Sequence, residues 1–281
     1  MSYRKTSIKT KIHRIKPKKS IFRCLWFWVA LLVAVILAFS VYFLLFYGGI
    51  QVENIIISGN QKTSTQEIES SANEDVKTII LKIKSWEVSS KSIFLIDKNK
   101  INSDILVKFP GIENVVIKRK LPRTLLINVK ERKPLGLFCS NGKCFSIDIN
   151  GIIFELTITP SADGVIVRQK AESEGAQAGQ KVLAQSVIDA IYDIQQNMED
   201  GFKISLKEVM VANSERLNVT TGEGWKIYFD LSDDYDVNVQ LKKLNLLLGG
   251  EISTEKRANL KYIDLRPHDR AIVCDNTTCG G

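Results

Sequence analysis

The stretch from Phe109 to Arg132, FPGIENVVIKRKLPRTLLINVKER, decides the fold. Pro110-Gly111 stops a helix, because proline cannot continue one and glycine tolerates the backbone that follows. Ile112–Lys120 and Thr124–Arg132 then read as two strands joined by Leu121-Pro122-Arg123. In the second strand Leu125, Ile127 and Val129 alternate with Leu126, Asn128 and Lys130, the period of a half-buried strand. Upstream, Asp97 is placed to cap a helix carrying Ile101, Ile105 and Phe109. Further back, Ser64 with Glu67 three residues on fits a capping box. Ile68, Ala72, Val76, Ile79 and Ile83 then recur at helical spacing, and Ser85–Ser92 reads as a polar loop. Residues 51–59 are β-rich and end at the turn signal Gly59-Asn60. Residues 51–132 therefore form a β-α-α-β-β unit.

A second α+β unit begins near Pro134. Leu135–Cys139 and Cys144–Ile149 flank Asn141-Gly142, a strong short hairpin signal. Asn150-Gly151 turns the chain into a strand at Ile152–Thr159. Pro160–Gln180 is rich in Gly, Ala, Ser and Gln, with only Val165–Val167 apolar, and reads as a loop. Val182, Val187, Ala190, Ile191 and Ile194 mark an amphipathic helix. Strands are expected at 203–211, 216–221 and 225–231, the last two joined at Gly222-Glu223-Gly224. Val237, Leu241, Leu244 and Leu248 mark a last helix closed by Gly249-Gly250. Tyr262–Arg266 and Arg270–Cys274 are the final strands, in a mostly antiparallel sheet.

Ahead of both units lies a different kind of segment. Cys24–Ile50 carries no charge, and Leu25–Tyr47 is dense enough in apolar residues to cross a hydrocarbon core of about 30 Å as a helix. Trp26 and Trp28 mark one interface, Tyr42 and Tyr47 the other. Lys and Arg total 39 against 31 Asp and Glu, a formal charge of +8. Arg4, Lys5, Lys9, Lys11, Arg14, Lys16, Lys18, Lys19 and Arg23 supply that excess from residues 1–23, which hold no acid. The positive-inside rule then keeps the N-terminus cytoplasmic and puts residues 48–281 outside. A cleaved secretory signal would be shorter and would end at a small-x-small site. The rest of the chain is electrostatically ordinary, which argues against a nucleic-acid-binding body.

Few groups invite catalysis or metal binding. His13 and His268 are the two histidines. Ser253-Thr254-Glu255-Lys256 matches Ser-x-x-Lys, but its companion Lys-Thr-Gly and Ser-Asp-Asn elements are absent from the sequence. Gly222-Glu223-Gly224 joins two strands, so it lacks the helix dipole that would hold a phosphate. Glu131-Arg132 and the Asp264, Arg266 pair suit solvated or interdomain ion pairs better than acid–base work. No cofactor, catalytic residue or metal ligand is expected.

The cysteines say more. An Asn-Gly turn makes Ser140 and Lys143 the hydrogen-bonded pair and Cys139 and Cys144 the next pair, with Cα atoms about 4.5 Å apart. A disulfide tolerates about 4.4–6.8 Å. An exported compartment permits oxidation. A bond and two free thiols both remain open for this pair. Cys274 and Cys279 repeat the spacing without a clear turn. Cys24 sits at the membrane interface.

The order of basic tail, one anchor, Val52-Glu53-Asn54-Ile55-Ile56-Ile57-Ser58-Gly59-Asn60 and Phe109-Pro110-Gly111-Ile112 resembles the FtsQ/DivIB cell-division proteins. The resemblance continues through residues 116–125, Val129-Lys130-Glu131-Arg132-Lys133-Pro134, residues 147–154 and Lys261-Tyr262-Ile263-Asp264-Leu265-Arg266. It implies a POTRA domain at 51–132, an FtsQ-type β domain at 133–274 and a short tail at 275–281. It implies a non-enzymatic divisome scaffold in the cell membrane at the septum. The partners it implies are FtsB-like and FtsL-like coiled-coil membrane proteins and the septal peptidoglycan synthase complex, with no nucleic acid or small-molecule substrate. The resemblance also places partner strand addition on the last strand, Arg270, Ala271, Ile272 and Val273, with Tyr262 and Arg266 on the neighbouring strand. A POTRA-bearing export or outer-membrane assembly component would instead carry tandem POTRA units or a large barrel, and 133–281 has room for neither. A cell-wall hydrolase would need metal ligands or paired carboxylates that the sequence does not assemble.

Overall fold

In a computed structural model, residues 25–83, 86–157, 164–170, 175–277 and 279 are described. The basic tail at 1–23 and Cys24 lie outside them, as do parts of the 160–180 segment. Helix α1 (Leu25–Phe46) is apolar all round and buries none of its residues. It is long and apolar enough to cross a membrane.

Strand β1 (Asn54–Ser58) follows, then helix α2 (Thr65–Val76). The chain next makes an antiparallel hairpin of β2 (Thr78–Ile83) and β3 (Trp86–Ser90). Helix α3 (Lys98–Lys108) leads to β4 (Ile112–Lys120) and β5 (Thr124–Glu131). The sheet order is β1-β5-β4, with β1 parallel and β4 antiparallel to β5. Ile68, Ala72, Ile101, Ile105, Ile112, Leu125 and Ile127 close the core between the helices and this sheet. Asp97 caps α3, its carboxylate accepting from the N–H groups of Asn99 and Lys100 at 2.9 and 3.2 Å. Gly59 adopts φ +91°, and a Cβ there would collide with the Val129 carbonyl. Glycine alone lets β1 turn so close to β5.

Three local expectations fail in this half. Ser64 sits at the N-cap of α2 without a side-chain capping bond. The loop ahead is held instead by Glu131, which accepts from the Lys62 and Thr63 N–H groups at 2.8–3.0 Å. The helical period breaks at Val76: Ile79 and Ile83 belong to strand β2, whose β-branched run favours extended backbone. Trp86–Ser90, within the expected polar loop, is its partner strand. The order is thus β-α-ββ-α-β-β.

The second unit contributes β6 (Gly136–Ser140), β7 (Lys143–Ile147), β8 (Ile153–Thr157) and β9 (Ile166–Gln169). Helix α4 (Gln185–Phe202) precedes β10 (Leu206–Asn213), β11 (Arg216–Thr221) and β12 (Lys226–Asp230). Helix α5 (Val237–Leu246), a short α6 (Thr254–Arg257), β13 (Leu260–Asp264) and β14 (Ile272–Asp275) complete it. The sheet runs β14-β13-β12-β11-β10-β9-β6-β7-β8, with five of its eight pairings antiparallel. Phe138, Val167, Ile191, Ile194, Val209, Trp225, Phe229 and Leu244 belong to its core.

Here too the structure departs from the pattern reading. Part of the expected 160–180 loop is β9, which sits mid-sheet and joins β6 to β10. Gly249-Gly250 do not stop α5 but lie in a π-helical turn at Leu247–Glu251. Arg266 lies two residues past β13, and Arg270 and Ala271 precede β14.

Between the two cores Arg132 donates to the Pro110 carbonyl at 2.9 Å and to Asp148 at 2.6 Å. Asp148 also accepts from the N–H groups of Asn150 and Ile152, both at 2.9 Å. One carboxylate thereby shapes the Asn150-Gly151 turn and grips the other unit.

Candidate partner-binding edge

Strand β14 is the terminal strand of the nine-stranded sheet, paired with β13 on one side. A terminal strand presents unpaired backbone groups, and proteins usually blunt such an edge with charge, proline or shortness. Pro267, His268, Asp269 and Arg270 crowd the turn before it, and the strand has four residues.

Register fixes what each side chain does. Tyr262 pairs with Cys274, Ile263 with Val273 and Asp264 with Ile272. Ile263 is fully buried, and Ala271 and Val273 pack on the core from the same side. Ile272 falls on the opposite face and is 42% exposed. Strand β12 adds Tyr228 to that face, opposite Asp264. The Tyr228 and Tyr262 rings lie 5.4 Å apart. Arg266 reaches back to Asp264 with two hydrogen bonds, 2.8 Å from Nε and 2.6 Å from Nη2. Its guanidinium stands 5.3 Å from the Tyr228 ring centre, within cation–π range. Burial alone would raise the Asp264 carboxyl, but hydrogen bonds and charge from Arg266 outweigh it and hold it below the ordinary carboxylate range. The hydrogen bond to Asp264 raises the Arg266 guanidinium in turn.

The turn between β13 and β14 is anchored from α5. Lys243 Nζ donates to the carbonyls of Pro267 and His268 at 2.9 and 2.6 Å and to the Tyr235 hydroxyl at 2.5 Å. The Tyr235 and His268 rings stack at 4.2 Å. The edge strand is therefore held by fixed contacts at its start. A strand so held offers a partner its backbone groups at low ordering cost.

Tyr262, Arg266 and Ile272 come together on one face, while Ala271 and Val273 turn to the core and Arg270 stands outside the strand. Sequence reasoning missed Tyr228, Tyr235 and Lys243. The outward positions 226, 228 and 230 of a strand reading Lys-Ile-Tyr-Phe-Asp could have signalled Tyr228; no spacing signal points to Lys243.

Cys139 and Cys144 face each other in the β6–β7 register and are joined by a disulfide, with Cα atoms 4.1 Å apart. Cys274 and Cys279 are joined likewise, across 5.6 Å. The second bond ties the end of β14 to the residues after it. Of the Ser-x-x-Lys match, Lys256 Nζ donates to the Glu251 carbonyl at 3.1 Å and Ser253 is the N-cap position of α6. Among the described residues no three or more His, Cys, Asp and Glu side chains gather in a metal-holding group.

An apolar N-terminal helix long enough to cross a membrane, a β-α-α-β-β core with an inserted hairpin and a large mixed sheet define the architecture of a POTRA protein. The family description "POTRA domain, FtsQ-type" matches residues 50–132. The chain is 27% identical over 172 residues to cell division protein DivIB of Clostridium tetani, covering 57% of this chain and 61% of that one. It is 28% identical over 112 residues to cell division protein FtsQ of Rickettsia typhi, covering 40% of this chain and 37% of that one. DivIB of Clostridium acetobutylicum matches at 40% identity over 65 residues, 23% of this chain and 26% of that relative. The chain thus spans less than two thirds of the length of each of these relatives. Residues 50–132 are thus an FtsQ-type POTRA domain, and the chain is similar to the cell division proteins named DivIB and FtsQ.

Proposed function

We propose that this chain is a non-enzymatic scaffold of the division machinery, anchored by α1 with residues 1–23 in the cytoplasm and 48–281 outside. In this reading 51–132 is the POTRA domain, 133–274 the β domain and 275–281 a tail. The function is to link early division components to septal peptidoglycan synthesis through contacts outside the cytoplasm. FtsB-like and FtsL-like coiled-coil membrane proteins, the latter with the septal synthase complex, are its partners. The observation that carries the reading is the β14 edge, with exposed Ile272 beside Tyr228, Tyr262 and Arg266. An incoming strand would add its backbone hydrogen bonds to the open side of β14, and its side chains would meet the tyrosines and the guanidinium. The names of the relatives, both types called cell division proteins, support the process.

Ile272→Pro tests it, because proline removes an N–H and fixes φ within the docking strand. The variant should lose capture of the FtsB-like partner while Ser161→Pro retains it. Thermal melting separates loss of the edge from loss of the fold. A folded Ile272→Pro chain with unchanged affinity removes β14 as the site. A fluorescent fusion spread evenly over the membrane of dividing cells, without a midcell band, removes the divisome reading itself.

A further inference from the structure

The β2–β3 hairpin is not explained by partner binding at β14. Among the described residues it is a two-stranded sheet that pairs with no other strand. Ile79, Ile80 and Leu81 are 52%, 39% and 51% exposed, an apolar run at a bulge where Ile79 pairs with Ser89 and Leu81 with Val88. Trp86 is 79% exposed at the turn end of β3. Phe94 and Leu95, just beyond the hairpin, are also exposed. A lone hairpin is marginal in water, and one with so many exposed apolar side chains needs a surface to cover it.

Its position says which surface. The last carbonyls of a helix have no intrahelical donor. In α1 two of them accept from the base of the hairpin: Ser92 Oγ donates to the Leu44 carbonyl at 2.8 Å and Ser90 Oγ to the Leu45 carbonyl. Both serines are buried. Gln51 pairs with Ser92 in an isolated bridge, and the Ile93 N–H donates to the Ile50 carbonyl at 3.0 Å. The hairpin is therefore fastened to the end of α1 itself. A helix of 22 residues is about 33 Å long, so its last turn reaches the edge of a hydrocarbon core of about 30 Å. From Ser90 to Trp86 is four residues, about 13 Å of strand. The headgroup layers bring the bilayer to about 40–45 Å, so the ribbon starts within them. Exposed Lys77, Lys82 and Lys91 surround it, with Lys82 paired to Glu87 at 2.5 Å. Tryptophan and lysine around an apolar patch suit the headgroup boundary, where ring and alkyl stem sink and the polar ends stay wet.

We infer that the β2–β3 hairpin is a second membrane contact, lying in the headgroup layer of the bilayer that α1 crosses and setting the POTRA unit close against it. This rests on reading α1 as a membrane span. The test uses the full chain in vesicles of phosphatidylethanolamine and phosphatidylglycerol, some with acyl chains brominated near the headgroup. One variant carries Trp26→Phe and Trp28→Phe, leaving Trp86 and the buried Trp225. A second carries Trp86→Phe alone and reports the insertion of α1 through Trp26 and Trp28. In the first variant the Trp86 share of the emission should shift to the blue and lose about half its intensity to the bromines. If the second variant is quenched and the first is not, the hairpin faces water or another protein and the inference is overturned. If neither is quenched, the membrane reading of α1 fails first. A far-ultraviolet circular dichroism spectrum like the parent's shows that each variant is folded.

Discussion

Arg132 and Arg266 each hold an aspartate at 2.6 Å, but in surroundings that differ sharply. The Arg132 and Asp148 side chains are 12% and 3% exposed; those of Arg266 and Asp264 are 35% and 11% exposed. The first pair joins two units: Arg132 also binds the Pro110 carbonyl, and Asp148 also accepts two turn N–H groups. The second pair spans two residues of one chain segment and leaves the guanidinium beside Tyr228. Removing half of a buried pair strands a charge without solvent, whereas water compensates an exposed one. The same chemistry is therefore buried between the two units at the junction and open to solvent at the edge.

The sharpest way to break this contrast is Arg132→Ala. It leaves Asp148 buried without its cation and should cost about 3–5 kcal/mol. Thermal melting should show a large loss, and limited proteolysis should cut between the two units. Capture of an FtsB-like partner should change only as far as folding does. A melting curve like that of the parent chain would mean that the junction pair carries no structural load.

A smaller effect is expected from replacing Cys139 and Cys144 by serine. The bond closes a very short loop, for which the chain-entropy argument gives about 2 kcal/mol. The β6–β7 hairpin should exchange its amide hydrogens faster while the junction and the edge keep theirs. Spreading of faster exchange to β13 and β14 would show that the sheet couples hairpin and edge, and would blur the contrast. Mass spectrometry of the non-reduced chain checks the bond itself.

Much of this arrangement is legible in the sequence. The apolar run of α1, the Asp97 cap and the alternation at Leu125, Ile127 and Val129 each carry a strong local signal, and the structure follows all three. The hairpin was not legible, because Ile79 continues the spacing of Ile68, Ala72 and Val76 although its neighbours are β-branched. Strand β9 was hidden because a short strand placed mid-sheet needs only Ile166 and Val167 as its apolar part and shows no alternation. At the edge, Tyr262 and Ile272 could be read from the final strands. Tyr235 and Lys243 could not, since they meet the β13–β14 turn only through the packing of α5.

The smallest stability effect belongs to Arg266→Ala. Its partner is less exposed than it is, but solvent reaches the guanidinium, so the loss should be about 1 kcal/mol. Acid should erase even that. Asp264 has its carboxyl lowered in the folded state, so its contribution is present above the unfolded value of about 3.9 and is lost as pH falls through the folded value. The gap in melting temperature between parent and Arg266→Ala should therefore close as pH is taken from neutral to below that value. The parent and the variant should both still weaken in acid. Glu131 is lowered too: burial opposes its charge, but the N–H groups of Thr63, Lys62 and Gln61 outweigh it, and Arg266 plays no part there. Partner capture at neutral pH should respond in the opposite proportion, falling more for Arg266→Ala than for any variant at the junction that remains folded. An Arg266→Ala chain that melts as early as Arg132→Ala, or that holds its partner unchanged, would mean that the exposed pair belongs to the fold and not to the interface.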